Sequence, residues 1–215
     1  MIWSCRRTPN QALQIARDIQ SQWFHGRIRR KARLPQHQPS TCLMQLGFFV
    51  APHEVFELPA IVRPSTAADG PVIAKLASAF SDYLRSVGDP DPDPGQITEE
   101  RYLADGTGPK PAFYGLIGEL DGEPVGYLLY CHGYDLDLGG RVIDIIDLFV
   151  QESARGHGVG RLLMQTAAEA CREADGHCLS WSVYHGNKLA QRFYKQLGAT
   201  AISDLDFMYL GASEL

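Results

Sequence analysis

Three closely spaced glycines near the C-terminal end of this chain could do chemistry through their main-chain groups. The segment Arg155-Gly156-His157-Gly158-Val159-Gly160 stands between an apolar run, 142–150, and a run with helical periodicity, 161–174. Glycines leave main-chain N–H groups unshielded, and the start of a helix adds partial positive charge. The pattern therefore predicts a strand, a phosphate-binding loop and a helix, with a diphosphate-bearing cofactor as the ligand.

Two better-known phosphate-binding motifs do not match this loop. A dinucleotide-binding motif would place G-x-G-x-x-G early in the chain, with an acidic residue about 20 positions later. A nucleotide triphosphatase would carry Gly-Lys-Ser/Thr where this chain has Arg161-Leu162. A tight strand–helix turn without a ligand is the alternative that these six residues alone leave open.

A second strand–turn–helix pattern follows the first. Residues 178–184 alternate as in a strand, and His185-Gly186 predicts a turn. Asn187 stands where a helix N-cap would, residues 188–197 predict a helix, and Gly198 is placed to end it.

Together the two patterns make the chain resemble the GNAT acetyltransferase superfamily. The residues that carry the resemblance are 155–160, 187–190, 193–194 and 197–199. In that family the glycine loop binds the pyrophosphate of coenzyme A, so the resemblance implies acetyl-CoA as the cofactor. The cofactor-binding residues that it implies are Leu148, Phe149, Val150, Arg155, Gly156, His157, Gly158, Val159, Gly160, Arg161, Asn187, Lys188, Leu189, Ala190 and Tyr194.

A narrower resemblance is to the diamine (spermidine/spermine-type) acetyltransferases, over about residues 60 to 210. It is carried by residues 62–69, 97–100, 134–135, 147–150 and 187–194. Where that subfamily has adjacent Glu and Asp before the cofactor strand, this chain has Ile146 and Asp147. One carboxylate that would bind the acceptor is therefore missing, which bears on polyamine specificity and not on acetyl transfer.

Acetyl transfer needs a polarised thioester carbonyl, a neutral amine and a proton for the departing thiolate. The resemblance implies that main-chain N–H groups around Phe149 and Val150 polarise the carbonyl. Tyr194 is the candidate general acid, because it lies two helical turns after Asn187 on the same face and a phenol can protonate a thiolate. A tyrosine that only packs beside Phe193 is the alternative.

The proton of the attacking ammonium needs an acceptor. Asp147 is the matched carboxylate of the family, and Asp135 and Tyr83 match acceptor-site positions, so these three are the predicted substrate-binding residues. Two carboxylates and an aromatic ring would suit a cationic amine. The alternatives are that Asp135 is solvated in a loop and that Asp147 has a structural role. His185 is a weaker candidate base.

Charge and composition restrict the partners. Residues 1–59 carry a net charge of +5 and residues 60–215 carry −10, which together make the −5 of the chain. An acidic catalytic domain favours a cationic acceptor over nucleic acid. The seven histidines and five cysteines show no ligand spacing, so we expect no metal. No apolar stretch approaches the ~18 to 20 residues that span a bilayer, and we expect no membrane partner.

The cysteines form no Cys-x-x-Cys pair and are odd in number, which is typical of reduced thiols in a cytoplasmic protein. The resemblance implies a homodimer.

Residues 1–59 are interpreted as a basic N-terminal extension, and residues 60–215 as the acetyltransferase domain. Residues 10–33 could form a helix that ends in the basic cluster 27–33. An arm for nucleic acid or anionic lipid is one interpretation of the cluster. A solvated extension, or residues upstream of a true start such as Met44, is the interpretation that we favour.

The remaining patterns predict an α/β fold. A strand begins at 61–63, Asp69 caps a helix over 71–87, and 88–95 is an extended Asp-Pro loop. Further predicted elements are a helix over 97–104, a hairpin of 114–120 and 124–132, a loop over 134–140 and a strand over 141–150. The resemblance implies a mostly antiparallel sheet that splays at the cofactor strand and is flanked by helices.

The expected activity is transfer of acetyl from acetyl-CoA to a primary amine of a small cationic acceptor, by direct attack. A protein-lysine or N-terminal acetyltransferase is one alternative, and a non-catalytic acyl-CoA-binding module is another.

Overall fold

A computed structural model gives the structure of this chain for residues 60–88 and 97–202, and for residues 206, 208, 210 and 211. The predicted N-terminal helix over 10–33 and its basic cluster lie outside the described residues. So does nearly all of the predicted Asp-Pro loop over 88–95, including Asp89, Asp91 and Asp93.

The described residues contain a five-stranded sheet in the order β1-β2-β3-β4-β5. Neighbouring strands from β1 to β4 are antiparallel, and β4 and β5 are parallel. The strands are β1 Ile61–Pro64, β2 Tyr114–Leu120, β3 Glu123–Asp135, β4 Gly140–Val150 and β5 Gly176–Ser180. The predicted mixed, mostly antiparallel sheet is therefore confirmed.

Four helices flank the sheet in the described part of the chain, each close to its predicted position. They are α1 Gly70–Ser86, α2 Glu99–Gly106, α3 Val159–Glu173 and α4 Lys188–Gln196. Helix α2 begins after Thr98, whose hydroxyl accepts a hydrogen bond from the Arg101 amide. None of these helices is both long enough and apolar enough to cross a membrane.

The predicted hairpin is confirmed, with Leu120 opposite Glu123. Asp121 and Gly122 turn the chain with φ of 54° and 80°, which is the positive-φ pair that a tight two-residue turn needs. Two predicted bounds were wrong. The strand expected over 178–184 ends at Ser180, and the loop expected over 134–140 is shorter because β3 runs to Asp135 and β4 begins at Gly140.

Asp69 is the N-cap residue of α1, as predicted. Its carboxylate makes no cap hydrogen bond to that helix. It accepts instead from the Arg63 guanidinium at 2.8 and 2.9 Å and from the Thr66 amide at 2.7 Å. These bonds, the Arg63 bonds first, lower the pKa of Asp69 to about 2. The ion pair ties the end of β1 to the start of α1.

The core has two halves, one on each side of the sheet. Helix α3 covers one face, where its Leu163 packs with Leu128 of β3 and Ile143 of β4. Helices α1 and α2 cover the other face, where Ile73 and Tyr102 pack with Tyr127 of β3, which is fully buried, and with Phe149 of β4. Burial of each such side chain stabilises the fold by about 1.5 to 3 kcal/mol.

A bulge in β4 exchanges the faces of its side chains. Tyr130 lies opposite Ile145 and Leu129 opposite Asp147, so Ile146 has no partner on β3. Side chains alternate along a strand, and one extra residue therefore moves every later side chain to the other face. Ile145 contacts the α3 side, whereas Phe149, four residues later, packs on the α1 side.

The pairing of β4 with β5 is short. It runs only from Arg141 opposite Gly176 to Asp144 opposite Ser180, and the Ser180 hydroxyl donates to the Asp144 carboxylate at the last paired position. Within the described part of the chain, residues 145 and 147–150 pair with β3 alone. The two strands therefore separate beyond Asp144, as expected, and one edge of β4 is left open.

Candidate cofactor and catalytic site

The glycine loop that follows β4 has the backbone geometry that the sequence predicted. Gly156 and Gly158 both have φ of 86°, a region that side chains rarely adopt, and a Cβ on either would meet nothing within 4 Å. Gly158 is the N-cap residue of α3 and has no side chain to bind the first amides of the helix. The first N–H groups of a helix have no partner within the helix, and the space beside Gly156 and Gly158 is open, which fits a pyrophosphate.

Close packing, and not a positive φ, favours glycine at position 160. A Cβ there would lie 3.4 Å from the Phe193 ring of α4 and 3.7 Å from the Val150 side chain of β4. The first turn of α3 therefore packs closely against α4 and the end of β4. Arg161 follows on the exposed side of the same turn.

The Arg155 side chain folds back on the structure. Its Nε donates to the Val150 carbonyl at 3.1 Å, and its guanidinium carbon lies 4.7 Å from the centroid of the Tyr83 ring of α1. Arg155 thus connects the end of β4, the glycine loop and α1. The His157 ring is exposed and its Nδ1 lies 3.1 Å from the Arg155 carbonyl.

Asn187 is the N-cap of α4, as predicted. Its Oδ1 accepts from the Ala190 amide at 3.1 Å and from the Tyr83 hydroxyl at 2.9 Å, and the residue is 5% exposed. Leu189 is exposed, so the first turn of α4 is open to solvent on the side away from this contact. Lys188 and Ala190 complete the predicted cofactor residues on this turn.

Tyr194 lies on α4 in an aromatic cluster with Trp181 and Phe193. Its ring centroid is 4.7 Å from that of Trp181 and 5.2 Å from that of Phe193. Burial, and next the negative charge of Asp147, raise the pKa of Tyr194 to about 12. The phenol is therefore protonated at neutral pH, and the negative charge of Asp147 stabilises this protonated form.

Asp147 is a half-buried carboxylate on the α1 side of β4. Burial raises its pKa to about 6, against the opposing effect of the Tyr127 hydroxyl, which donates to Oδ2 at 3.1 Å. Burial also raises the pKa of Tyr127, so this donor stays protonated. Sequence reasoning missed Tyr127, because only the register of β3 with the bulged β4 shows that the two side chains meet.

The predicted residues do not all come together. Tyr83 contacts both Arg155 and Asn187, and the charge of Asp147 acts on Tyr194. The cofactor-strand residues Leu148 and Val150 pack toward α3, and Phe149 packs toward α1.

Asp135 lies at the other end of the sheet. It pairs with Gly140, seven residues before Asp147, which corresponds to about 20 Å along β4. Its Oδ1 accepts from the amides of Asp137 and Leu138 at 2.8 and 2.9 Å and so holds the turn between β3 and β4. An acceptor role for Asp135 stays a prediction.

Comparison with known proteins places this geometry among acetyltransferases. Residues 76–199 match the Acetyltransferase (GNAT) family. A thialysine N-epsilon-acetyltransferase of Sus scrofa is 34% identical over 154 residues, which are 68% of this chain and 87% of that protein. The human spermidine/spermine N(1)-acetyltransferase-like protein 1 is 24% identical over 69% of this chain and 22% of its own length.

The fold is also found in a solved structure. The ribosomal-protein-alanine N-acetyltransferase from Brucella melitensis superposes with a TM-score of 0.55 and 18% identity, over 71% of this chain and all of that one.

Replacing Gly158 by alanine tests the loop. Alanine in the left-handed region costs about 1 to 2 kcal/mol wherever it stands, and at position 158 the added methyl also occupies the space above the amides. We expect acetyl-CoA to bind Gly158→Ala at least about tenfold more weakly by calorimetry. The matched control is Gly108→Ala, because Gly108 has φ of 94° and equally open surroundings. Equal cofactor affinity of the two variants would contradict a binding role for the loop.

Replacing Asp147 by asparagine tests how much the partly desolvated carboxylate lowers the free energy of unfolding. A pKa raised on folding means that the protonated carboxyl stabilises the fold below about pH 4 and that this contribution is lost as the pH rises through about 6. We expect Asp147→Asn to be more stable than the native protein by about 2 kcal/mol at pH 7.5, and equal to it near pH 4. Urea unfolding at both pH values measures this, with the exposed Asp137→Asn as control. A less stable Asp147→Asn protein at pH 7.5 would contradict the account.

Proposed function

Because this chain belongs to the GNAT acetyltransferase family, we propose that it moves the acetyl group of acetyl-CoA to the primary amine of a small cationic acceptor. The observation that carries the proposal is that β4, beyond its separation from β5, holds a half-buried carboxylate whose charge acts on a protonated tyrosine and leads directly into the glycine loop. The likeness to a thialysine acetyltransferase supports an amine as the acceptor.

The residues present fit a coenzyme A pyrophosphate. The glycine conformations at 156 and 158 expose main-chain N–H groups, and the start of α3 adds its partial positive charge. Beyond the loop, the open edge of β4 at residues 145–150 offers main-chain groups to the rest of the cofactor. When bound there, acetyl-CoA supplies an activated acetyl group as a thioester.

Main-chain N–H groups near Phe149 and Val150 polarise the thioester carbonyl in this proposal. The groups on the β5 side of β4 have no strand partner there within the described residues, so they are free to donate to a developing oxyanion. Their positions are held by the pairing of Phe149 with Tyr127 and of Val150 with Gly126. A donor held in place in advance needs no reorganisation during the reaction.

Asp147 accepts the proton that the acceptor ammonium must lose. With a pKa of about 6 it is ionised at neutral pH, yet it is a stronger base than an exposed carboxylate. The Tyr127 hydroxyl holds one of its oxygens and leaves the other for the amine. The neutral nitrogen would then attack the carbonyl carbon directly and the C–S bond would break. The proton that the nitrogen holds in excess after the C–N bond forms, and the proton taken up by Asp147, would both pass to solvent.

Tyr194 donates its phenolic proton to the departing thiolate. The raised pKa keeps that proton on the oxygen until sulfur takes on negative charge. The aromatic contact with Trp181 fixes the direction of the ring. The resulting phenolate regains a proton from solvent before the next turnover. No covalent intermediate with the enzyme is needed, because amine and thioester meet in one site.

The site offers one carboxylate, that of Asp147, to one ammonium group of the acceptor. Position 146, where a second carboxylate stands in diamine acetyltransferases, is an isoleucine here and is half exposed. A single carboxylate at Asp147 favours an amino-acid-like amine over a long polyamine. A cytoplasmic location, expected from the cysteine pattern, and a homodimer, expected from the resemblance, remain predictions.

An amine panel tests the proposed function. Purified protein with acetyl-CoA would be offered thialysine, lysine, putrescine, spermidine and a lysine-containing peptide, with thiol release as the measurement. We expect the highest kcat/KM with thialysine or another free amino-acid amine. Turnover with the peptide alone would support the protein-lysine alternative, and cofactor binding without release on any amine would support a non-catalytic module.

Replacing Tyr194 by phenylalanine tests the general acid. The variant keeps the ring contact with Trp181 and removes only the acidic proton, so we expect kcat to fall about 100-fold or more while the Kd for acetyl-CoA stays within about threefold. The exposed Tyr134→Phe is the control. An unchanged kcat in Tyr194→Phe would remove the tyrosine from the mechanism.

A further inference from the structure

Tyr83 occupies a place that its predicted role does not explain. It stands near the C-terminal end of α1, and its side chain contacts two residues from distant parts of the sequence, Arg155 and Asn187. We propose that Tyr83 is a positioning residue that holds the two cofactor-binding elements in register, and that it sets affinity for acetyl-CoA and not for the amine. This inference rests on the proposed function, because it takes acetyl-CoA as the ligand of the loop.

The ring of Tyr83 supports the glycine loop. The Arg155 guanidinium lies over the ring at 4.7 Å from its centroid, while the Nε of the same side chain donates to the Val150 carbonyl. Arg155 immediately precedes Gly156, where the chain takes its first left-handed turn. A cation held on an aromatic face at this point restricts the direction in which the loop leaves β4.

The hydroxyl of Tyr83 supports α4. It donates to the Asn187 Oδ1, which at the same time accepts from the Ala190 amide and so caps the helix. Loss of the hydroxyl would remove one of the two hydrogen bonds that orient the buried Asn187 amide, and so weaken the cap. The same helix carries Tyr194 two turns further on, so the cap position also sets where the general acid stands.

The main chain of α1 adds a third contact. A Cβ on Gly186 would lie 2.6 Å from the Val87 carbonyl, which shows that the turn before α4 touches the end of α1 with no room for a side chain. The end of α1 therefore meets both cofactor elements, through a ring, a hydroxyl and a main-chain contact.

These contacts occupy the groups of Tyr83 that an amine would use. One face of the ring lies under the Arg155 guanidinium, which would repel an ammonium, and the hydroxyl proton is committed to Asn187. The predicted acceptor role and the positioning role therefore make opposite predictions about which substrate a Tyr83 variant binds less well.

Two variants separate the contacts of the ring from that of the hydroxyl. Tyr83→Phe removes only the hydrogen bond, and we expect the Kd for acetyl-CoA, measured by calorimetry without amine, to rise about fivefold. Tyr83→Leu also removes the ring and should raise it further, to about 20-fold. The KM for the amine should stay within about twofold in both. The control is Tyr114→Phe, a partly exposed tyrosine that stacks on Tyr130 away from this site.

Three results would overturn the proposal. The first is an unchanged Kd for acetyl-CoA in both variants, and the second is a raised KM for the amine with an unchanged cofactor Kd. The third is a loss of cofactor binding that is fully explained by a smaller folded fraction of the variant. Since the decisive measurement needs no turnover, its failure differs from failure of the proposed function. If the native protein binds acetyl-CoA but acetylates no amine, the proposed reaction fails and the role of Tyr83 stands on the Kd values alone.

Discussion

The separation of two parallel strands is the constraint on which the site depends. β4 and β5 pair over four positions and part after the Asp144–Ser180 contact, because the chain leaves β5 for the turn into α4. A sheet that stayed paired would cover the β5-side edge of β4 and bury its N–H and C=O groups in a ladder. The open edge costs the fold those hydrogen bonds, and it is useful only if a ligand or water takes their place.

The bulge at Ile146 determines the side of the sheet on which Asp147 lies. It turns Asp147 toward α1, where the Tyr127 hydroxyl donates a hydrogen bond to it, and leaves Leu148 and Val150 packed on the α3 side. The carboxylate is thereby desolvated without losing its hydrogen bond. The aromatic cluster on α4 then brings Tyr194 to the same opening from the other side. An acid and a base with widely separated pKa values meet at one gap.

Local signals in the sequence were enough to predict most helices and strands and the conformation of the glycine loop. Gly156 and Gly158, the Asn187 cap and the Asp121-Gly122 turn each act within a few residues, so their patterns can be interpreted without knowing the fold. The failures have longer range. Asp69 stands at a helix cap, but its carboxylate binds Arg63 of β1 and not the helix. The contact of Tyr127 with Asp147 depends on the bulged register, which the sequence does not show. The Tyr83–Asn187 bond joins residues 104 positions apart, and no periodicity in one sequence indicates such a pair.

A crystal structure of the protein with acetyl-CoA would show directly whether the glycine loop and the open edge of β4 bind the cofactor. We expect pyrophosphate oxygens within about 3 Å of the main-chain nitrogens of residues 156–160. We also expect the thioester beside the open edge of β4, with its sulfur facing the Tyr194 hydroxyl. Cofactor density elsewhere on the protein, or strands β4 and β5 found paired through residue 150, would contradict these expectations.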